Sequence, residues 1–222
     1  VAANSARRLL DRRYRDRQRA LVDGVARVLG TTLLALPDLS QDSIDAYVAR
    51  AYPTVAGGQN AAATNAAGYM TALVRPTTRG RRATINVGLA LLRSGVLVTP
   101  DSRSLVAPML RARRWVADGE TSTKAILAAA SYANALSSND LARAQRVGLD
   151  TGAEASGAKI TGWLKDPGGD ACEWCQTVSG QTYSSPEDVP FHDRDRCSVI
   201  PDLEGDELAE YWRAKADEDI PF

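Results

Sequence analysis

Apolar positions in the first half of the chain recur at helical spacings. Leu10, Tyr14, Leu21, Val25 and Val28 form one stripe on an otherwise basic segment, the signature of an amphipathic helix. Pro37 ends or interrupts the chain just beyond Thr31-Thr32-Leu33-Leu34, and Asp38-Leu39-Ser40 offers a new helix start with Ile44, Tyr47 and Val48 on one face. Pro53 and Gly57-Gly58 predict a further break before an alanine-rich segment, Asn60 to Leu73, whose small side chains suit close helix packing. Pro76 stops that segment, and Thr77 to Arg82 reads as an exposed basic loop. Residues 84 to 98 fit helix or strand; helix is the reading adopted. Thr99-Pro100-Asp101-Ser102 then starts a helix that runs through Trp115 and stops at Gly119. Thr121 to about Val147 predicts one long helix, or two joined near Ser137-Ser138-Asn139 and capped there by Asn139 or Asp140.

The texture changes after Gly152. Helical periodicity is lost and Gly and Pro become frequent, while Trp163-Leu164-Lys165, Thr182-Tyr183-Ser184 and Ser198-Val199-Ile200 read as short strands around tight turns. An acidic helix from about Glu204 to Ala216, with Leu208, Tyr211 and Trp212 on one face, closes the chain. The expected class is therefore α+β: a predominantly helical region (1–155), a small metal-stapled β-hairpin module (156–203) and an acidic C-terminal helix or tail (204–222).

Composition adds one feature, charge polarity. Across 222 residues the formal net charge is zero. Yet Arg7, Arg8, Arg12, Arg13, Arg15, Arg17, Arg19 and Arg27 crowd the first thirty positions against three aspartates, and eight acids crowd the last twenty-one. Such polarity suits charged partners, head-to-tail contact between copies, or simply a solvated helix face at each end. No stretch of eighteen or more apolar residues occurs, so no membrane span is expected. The first residues have no apolar run of the signal-peptide type, so export is not expected either.

All three cysteines and the single histidine fall in one segment, as Cys172-x2-Cys175, sixteen residues, then His192-x4-Cys197. A Cys-x2-Cys knuckle places two sulfurs on one turn, and a second pair a hairpin away completes a tetrahedron of the kind zinc prefers. The segment offers few apolar residues to bury, and modules below about 40 residues usually need a metal, disulfides or oligomerisation. Apparent zinc affinities of about 10–16 kcal/mol in small peptides exceed that ordering cost. Two other readings stay open. A Cys172–Cys175 disulfide would make a redox motif, although the strand–helix context is missing. Cys175 or Cys197 activated by His192 would make a nucleophile, but needs a third orienting group. Glu154 with Asp166, or Glu187 with Asp188, are unremarkable carboxylate pairs, and Gly168-Gly169 lacks the Lys-Ser or Lys-Thr of a phosphate loop.

The motifs Gly162-Trp163-Leu164-Lys165-Asp166, Asp170-Ala171-Cys172-Glu173-Trp174-Cys175, Gly180-Gln181-Thr182-Tyr183, Phe191-His192 and Arg196-Cys197-Ser198-Val199-Ile200-Pro201 occur in that order. This arrangement resembles the C-terminal module of Mu F-like minor head proteins of tailed phages, especially the minor capsid proteins of actinobacterial phages. It covers about forty residues. Members of that family usually carry His-x2-Cys-x-Cys; here Asp195 stands where the first of those cysteines would be, which makes Cys197 the natural fourth ligand and Asp195 a competing oxygen ligand.

The expected metal is the structural Zn2+ that the spacing assigns to Cys172, Cys175, His192 and Cys197. The resemblance implies a non-enzymatic role inside the capsid, in several copies at or near the portal, assisting head assembly, DNA packaging or ejection after a cytoplasmic assembly stage. Portal and major capsid proteins are the expected partners. Packaged double-stranded DNA is a further one, reached through Arg7, Arg8, Arg12, Arg13, Arg15 and Arg19. The competing expectations are a zinc-dependent nucleic-acid-binding protein and a head-maturation enzyme, either a protease or a relative of the ADP-ribosyltransferases fused to some family members.

Overall fold

The structure, a computed structural model, describes residues 2–74, 85–157, 159–167, 171–192 and 197–203. The basic loop at 77–82 and the acidic helix expected from Glu204 lie outside them. Five helices come first: α1 (Ala2–Leu34), α2 (Gln41–Val74), α3 (Val87–Ser94), α4 (Arg103–Ala117) and α5 (Ser122–Ser156). After them come β1 (Ile160–Asp166), the short α6 (Glu173–Val178) and β2 (Ser198–Leu203). The chain is thus mostly helical with a small two-stranded antiparallel sheet, the α+β class expected.

On α1, the buried positions are Leu10, Tyr14, Gln18, Val25, Leu29 and Leu33. Val28, expected in that stripe, is exposed, because the four-residue step from Val25 puts Leu29 on the inner face. The α1–α2 turn is a local hydrogen-bonding unit. Ser40 accepts the Ser43 N–H, and Asp38 accepts from the Ser40 N–H and from both serine hydroxyls. These bonds hold the Asp38 carboxyl down to about 2.

One expected break does not occur, and of the two readings for the segment from Thr121 the single long helix is found. α2 runs through Pro53 and Gly57-Gly58 as one helix. Pro53 is exposed, so water can satisfy the carbonyl its missing N–H leaves free, while Ala51 and Val55 beside it are fully buried. Gly58 is needed small: a Cβ there would meet Val25 Cγ2 at 2.7 Å. α5 likewise has no joint at Ser137–Asn139 and continues past Val147 to Ser156, where Gly157 adopts the left-handed conformation. The Ser137 and Ser138 hydroxyls donate back to the Asn134 carbonyl within the helix.

α2 and α5 form the central pair. Gly148 and Gly152, one turn apart on α5, lie on Ala63 and Ala67 of α2. A Cβ on Gly148 would sit 2.1 Å from the Ala63 carbonyl oxygen, and one on Gly152 would sit 2.8 Å from Met70 Cβ. The alanine-rich stretch therefore does pack closely. Gln59, fully buried on α2, pins the connector between α3 and α4: its amide donates to the Val96 carbonyl and accepts the Val98 N–H at 2.9 Å.

The sheet lies against the ends of α1, α2 and α5. β1 and β2 pair from Asp166↔Ser198 to Ile160↔Leu203, and Tyr183 adds a one-residue bridge to Trp163. The third expected strand, Thr182–Ser184, is thus only this bridge. Trp163, Val189 and Val199 share a buried cluster with Leu10, Tyr14, Tyr69, Met70, Leu73 and Leu149. Polar contacts reinforce the seat. Arg15 pairs with Asp166, and Arg7 bonds Asp11, the Tyr69 hydroxyl and the Pro201 carbonyl. Tyr14 and Tyr69 stack at 4.1 Å. The module expected to be poorly cored shares its core with the helices.

These contacts separate two glycine classes. Gly148→Ala should destabilise the chain by about 1–3 kcal/mol, because two backbones must part. Gly24→Ala, on α1 with nothing within 4 Å of its Cβ position, should stabilise by up to about 1 kcal/mol through helix propensity alone. Urea unfolding midpoints of the two variants should move in opposite directions.

Candidate metal centre

The connection between β1 and β2 carries the cysteines and the histidine. Cys172 sits immediately before α6 and acts as its N-cap, its sulfur accepting the Cys175 N–H at 3.5 Å. One turn of helix then brings Cys175 back beside it. His192 arrives from the other end of the connection and points Nε2 at both sulfurs, 3.2 Å from Cys172 Sγ and 3.1 Å from Cys175 Sγ. The three donor atoms all lie within 4.8 Å of one another.

Tetrahedral zinc, with bonds of about 2.3 Å to sulfur and about 2.0–2.1 Å to nitrogen, places its donors roughly 3.6 Å apart. The sulfur–nitrogen separations of 3.2 and 3.1 Å are near that spacing, and the three side chains form a group able to hold a metal ion. Its electrostatics agree: the Cys175 backbone N–H and, to a lesser extent, His192 hold the Cys172 thiol below its ordinary value, which favours the thiolate that binds metal. Burial is graded, with Cys175 buried, His192 half-buried and Cys172 exposed. The Trp174 edge meets the His192 ring at 5.2 Å and 77°, fixing its tilt.

The fourth expected ligand is placed differently. Cys197 is not a member of the cluster, and its thiol donates to the Pro167 carbonyl at 3.5 Å. It stands at the foot of β2, directly after residues 193–196, which lie outside those described, Asp195 among them.

The alternative chemistries find less support in this geometry. None of the three cysteines is paired in a disulfide. Both Cys172 and Cys175 converge on the same histidine nitrogen, an arrangement of ligands around a point and not of one nucleophile beside one base. Two of the carboxylates have partners of their own: Asp166 pairs with Arg15, and Asp188 accepts from the Ser184 and Ser185 hydroxyls.

The arginines assigned to DNA divide into two sets. Arg7 and Arg15 point inward and hold the sheet. Arg8, Arg12 and Arg13 are exposed, and Arg19 is half-buried.

Two functional side chains escape a reading of the sequence alone. Lys165, a surface charge by residue type, is 3% exposed, and its position two residues from buried Trp163 is the available signal. Arg146 is 5% exposed, on the α5 face that carries Leu149 three residues on. Among the described residues no helix is long and apolar enough to cross a membrane. Comparison with protein-family profiles, curated proteins and solved structures finds no match for this chain.

Replacing Cys172 or Cys175 by Ser, or His192 by Gln, should weaken zinc binding by at least about 100-fold, since a ligand loss exceeds the about 10–100-fold cost of losing a supporting partner. Acidification should release the ion, because thiolates and imidazole must take up protons as it leaves. Competition with a chromophoric chelator across a pH series measures both.

Proposed function

We propose that this chain is a zinc-stapled, non-enzymatic minor head protein of a tailed phage. It acts inside the capsid at or near the portal, in several copies, and passes through the host cytoplasm during assembly. The observation that carries the reading is the gathering of Cys172, Cys175 and His192 into one ligand cluster, within the segment whose motif order resembles the Mu F-like proteins.

In this reading the ion is a crosslink and not a reagent. Cys197 supplies the fourth thiolate in place of its weak bond to the Pro167 carbonyl, and four protein ligands leave no position for a substrate. The ion ties the Cys172–Cys175 knuckle to the segment that ends in His192. The helices supply the rigid body that presents this module to portal or capsid.

The exposed arginines on α1 give the chain a second contact surface. Arg8 and Arg12 are one turn apart and Arg13 adjoins them, so they present a continuous cationic strip that suits phosphate or an acidic protein surface. DNA binding through this strip is part of the proposal. A zinc-dependent nucleic-acid-binding protein of regulatory type is the weaker reading, because acidic side chains dominate the metal module itself.

Two measurements test the proposal. The protein should co-purify with portal or procapsid from infected cells and be present in mature particles; its accumulation free in the cytosol, absent from particles, overturns the assignment. In filter binding at graded salt, Arg8→Ala, Arg12→Ala and Arg13→Ala together should weaken DNA binding and flatten the log–log slope by about 3. A flat wild-type response removes DNA and leaves an acidic protein surface as the partner.

A further inference from the structure

The half of the metal cluster that holds His192 rests on two buried cations. The segment Glu187–His192 has no helix or strand of its own, yet it must deliver one ring nitrogen to within about an ångström. Arg146, from α5, reaches it first: the guanidinium donates to the Glu187 and Val189 carbonyls and lies over the Phe191 ring at 4.3 Å. Lys165, from β1, takes the next carbonyl, donating to Pro190 at 2.7 Å. The same ammonium lies 5.0 Å from the centre of the Trp174 ring, which belongs to the Cys172–Cys175 knuckle and meets His192 edge-on.

Lys165 therefore touches both halves of the ligand set, and Arg146 fixes one half to the long helix. In a buried setting a charged donor to a carbonyl makes a strong and directional bond, and three successive contacts of this kind leave the segment little freedom to withdraw His192. Val189, buried beside them, keeps water from competing for the carbonyls.

We infer that Lys165 and Arg146 are positioning residues for the metal centre: they assemble His192 against the cysteine knuckle before an ion arrives and so set the affinity of the site. The inference rests on the metal reading proposed above. Groups that orient metal ligands from behind typically contribute about 10–100-fold in affinity, and most of that is expected from each of these two.

The test uses the full chain with zinc, and with cobalt(II) as a spectroscopic stand-in. Lys165→Met keeps the stem and removes the charge and donor, Arg146→Met does the same on α5, and Arg146→Lys keeps the charge but cannot fork to two carbonyls. The two methionine variants should bind zinc about 10–100-fold more weakly, with an altered cobalt ligand-field spectrum. Arg146→Lys should recover part of the loss. The metal-free helical circular dichroism of each variant shows whether it is folded. If Arg146→Met fails that check, Arg146→Lys decides for Arg146 by the same affinity measurement, and if Lys165→Met fails it, Lys165→Gln decides for Lys165.

Folded variants that bind zinc within twofold of wild type, with an unchanged cobalt spectrum, overturn the inference while leaving the metal site intact. A wild-type chain that takes up no zinc overturns the metal reading and this inference with it.

Discussion

The missing side chains of Gly148 and Gly152 let α5 lie directly on the backbone of α2 at Ala63 and Ala67. Much of the remaining structure depends on that close approach. It fixes the rotation of α5, and with it the directions of Gln145, Arg146 and Leu149, which occupy the same two turns. Gln145 reaches the Tyr14 hydroxyl of α1 at 2.6 Å, Leu149 enters the cluster shared with Trp163 and Val199, and Arg146 meets the segment that ends in His192. A side chain at 148 would push these groups outward together. The metal ligands therefore depend on a helix contact between residues that never touch them.

The same packing divides the labour between apolar burial and metal. Trp163, Val189 and Val199 are buried against the helices, and each such side chain contributes about 1.5–3 kcal/mol relative to exposure. The strands are thus held without an ion. The knuckle is different: Cys172, Glu173 and Trp174 are exposed, and only Cys175 reaches the interior. Burial does not hold the knuckle as it holds the strands, and its Cys172, Cys175 and His192 are the side chains grouped as a candidate metal site. Under the metal reading proposed above, loss of the ion loosens the cysteine knuckle and leaves the helices standing, unlike a small zinc finger that unfolds outright.

How much of the molecule is legible in its sequence depends on the range of each signal. The cysteine and histidine spacing is local chemistry, and three of the four residues it names are gathered by the fold. Cys197 lies outside that group, with its thiol on the Pro167 carbonyl. The helices are legible wherever a cap or a stripe marks them. Pro53 misleads because its local cost is outweighed by the burial of Ala51 and Val55 beside it, which no short window reveals. Val28 is one residue out, as a stripe allows when Leu29 is equally apolar. Lys165 is hidden by its type: long cations are seldom fully buried, and its alternation with Trp163 carries less weight than its charge.

The arginines of α1 show why a charge run alone is ambiguous. Arg7, Asp11 and Arg15 stand four residues apart and share the inner face, where they meet Tyr69, Pro201 and Asp166. Arg8 and Arg12 are each one residue further on, turned by about 100° on a helix of 3.6 residues per turn, and face outward. Arg15 and Asp166 are each about four-fifths covered, so separating them costs more than the about 0–1 kcal/mol of an exposed pair. An acidic partner is therefore met by the outward set, while the inward set stays with the sheet. The two sets divide by helical phase: the same nine residues of sequence, 7–15, both hold the sheet in place and offer a cationic surface.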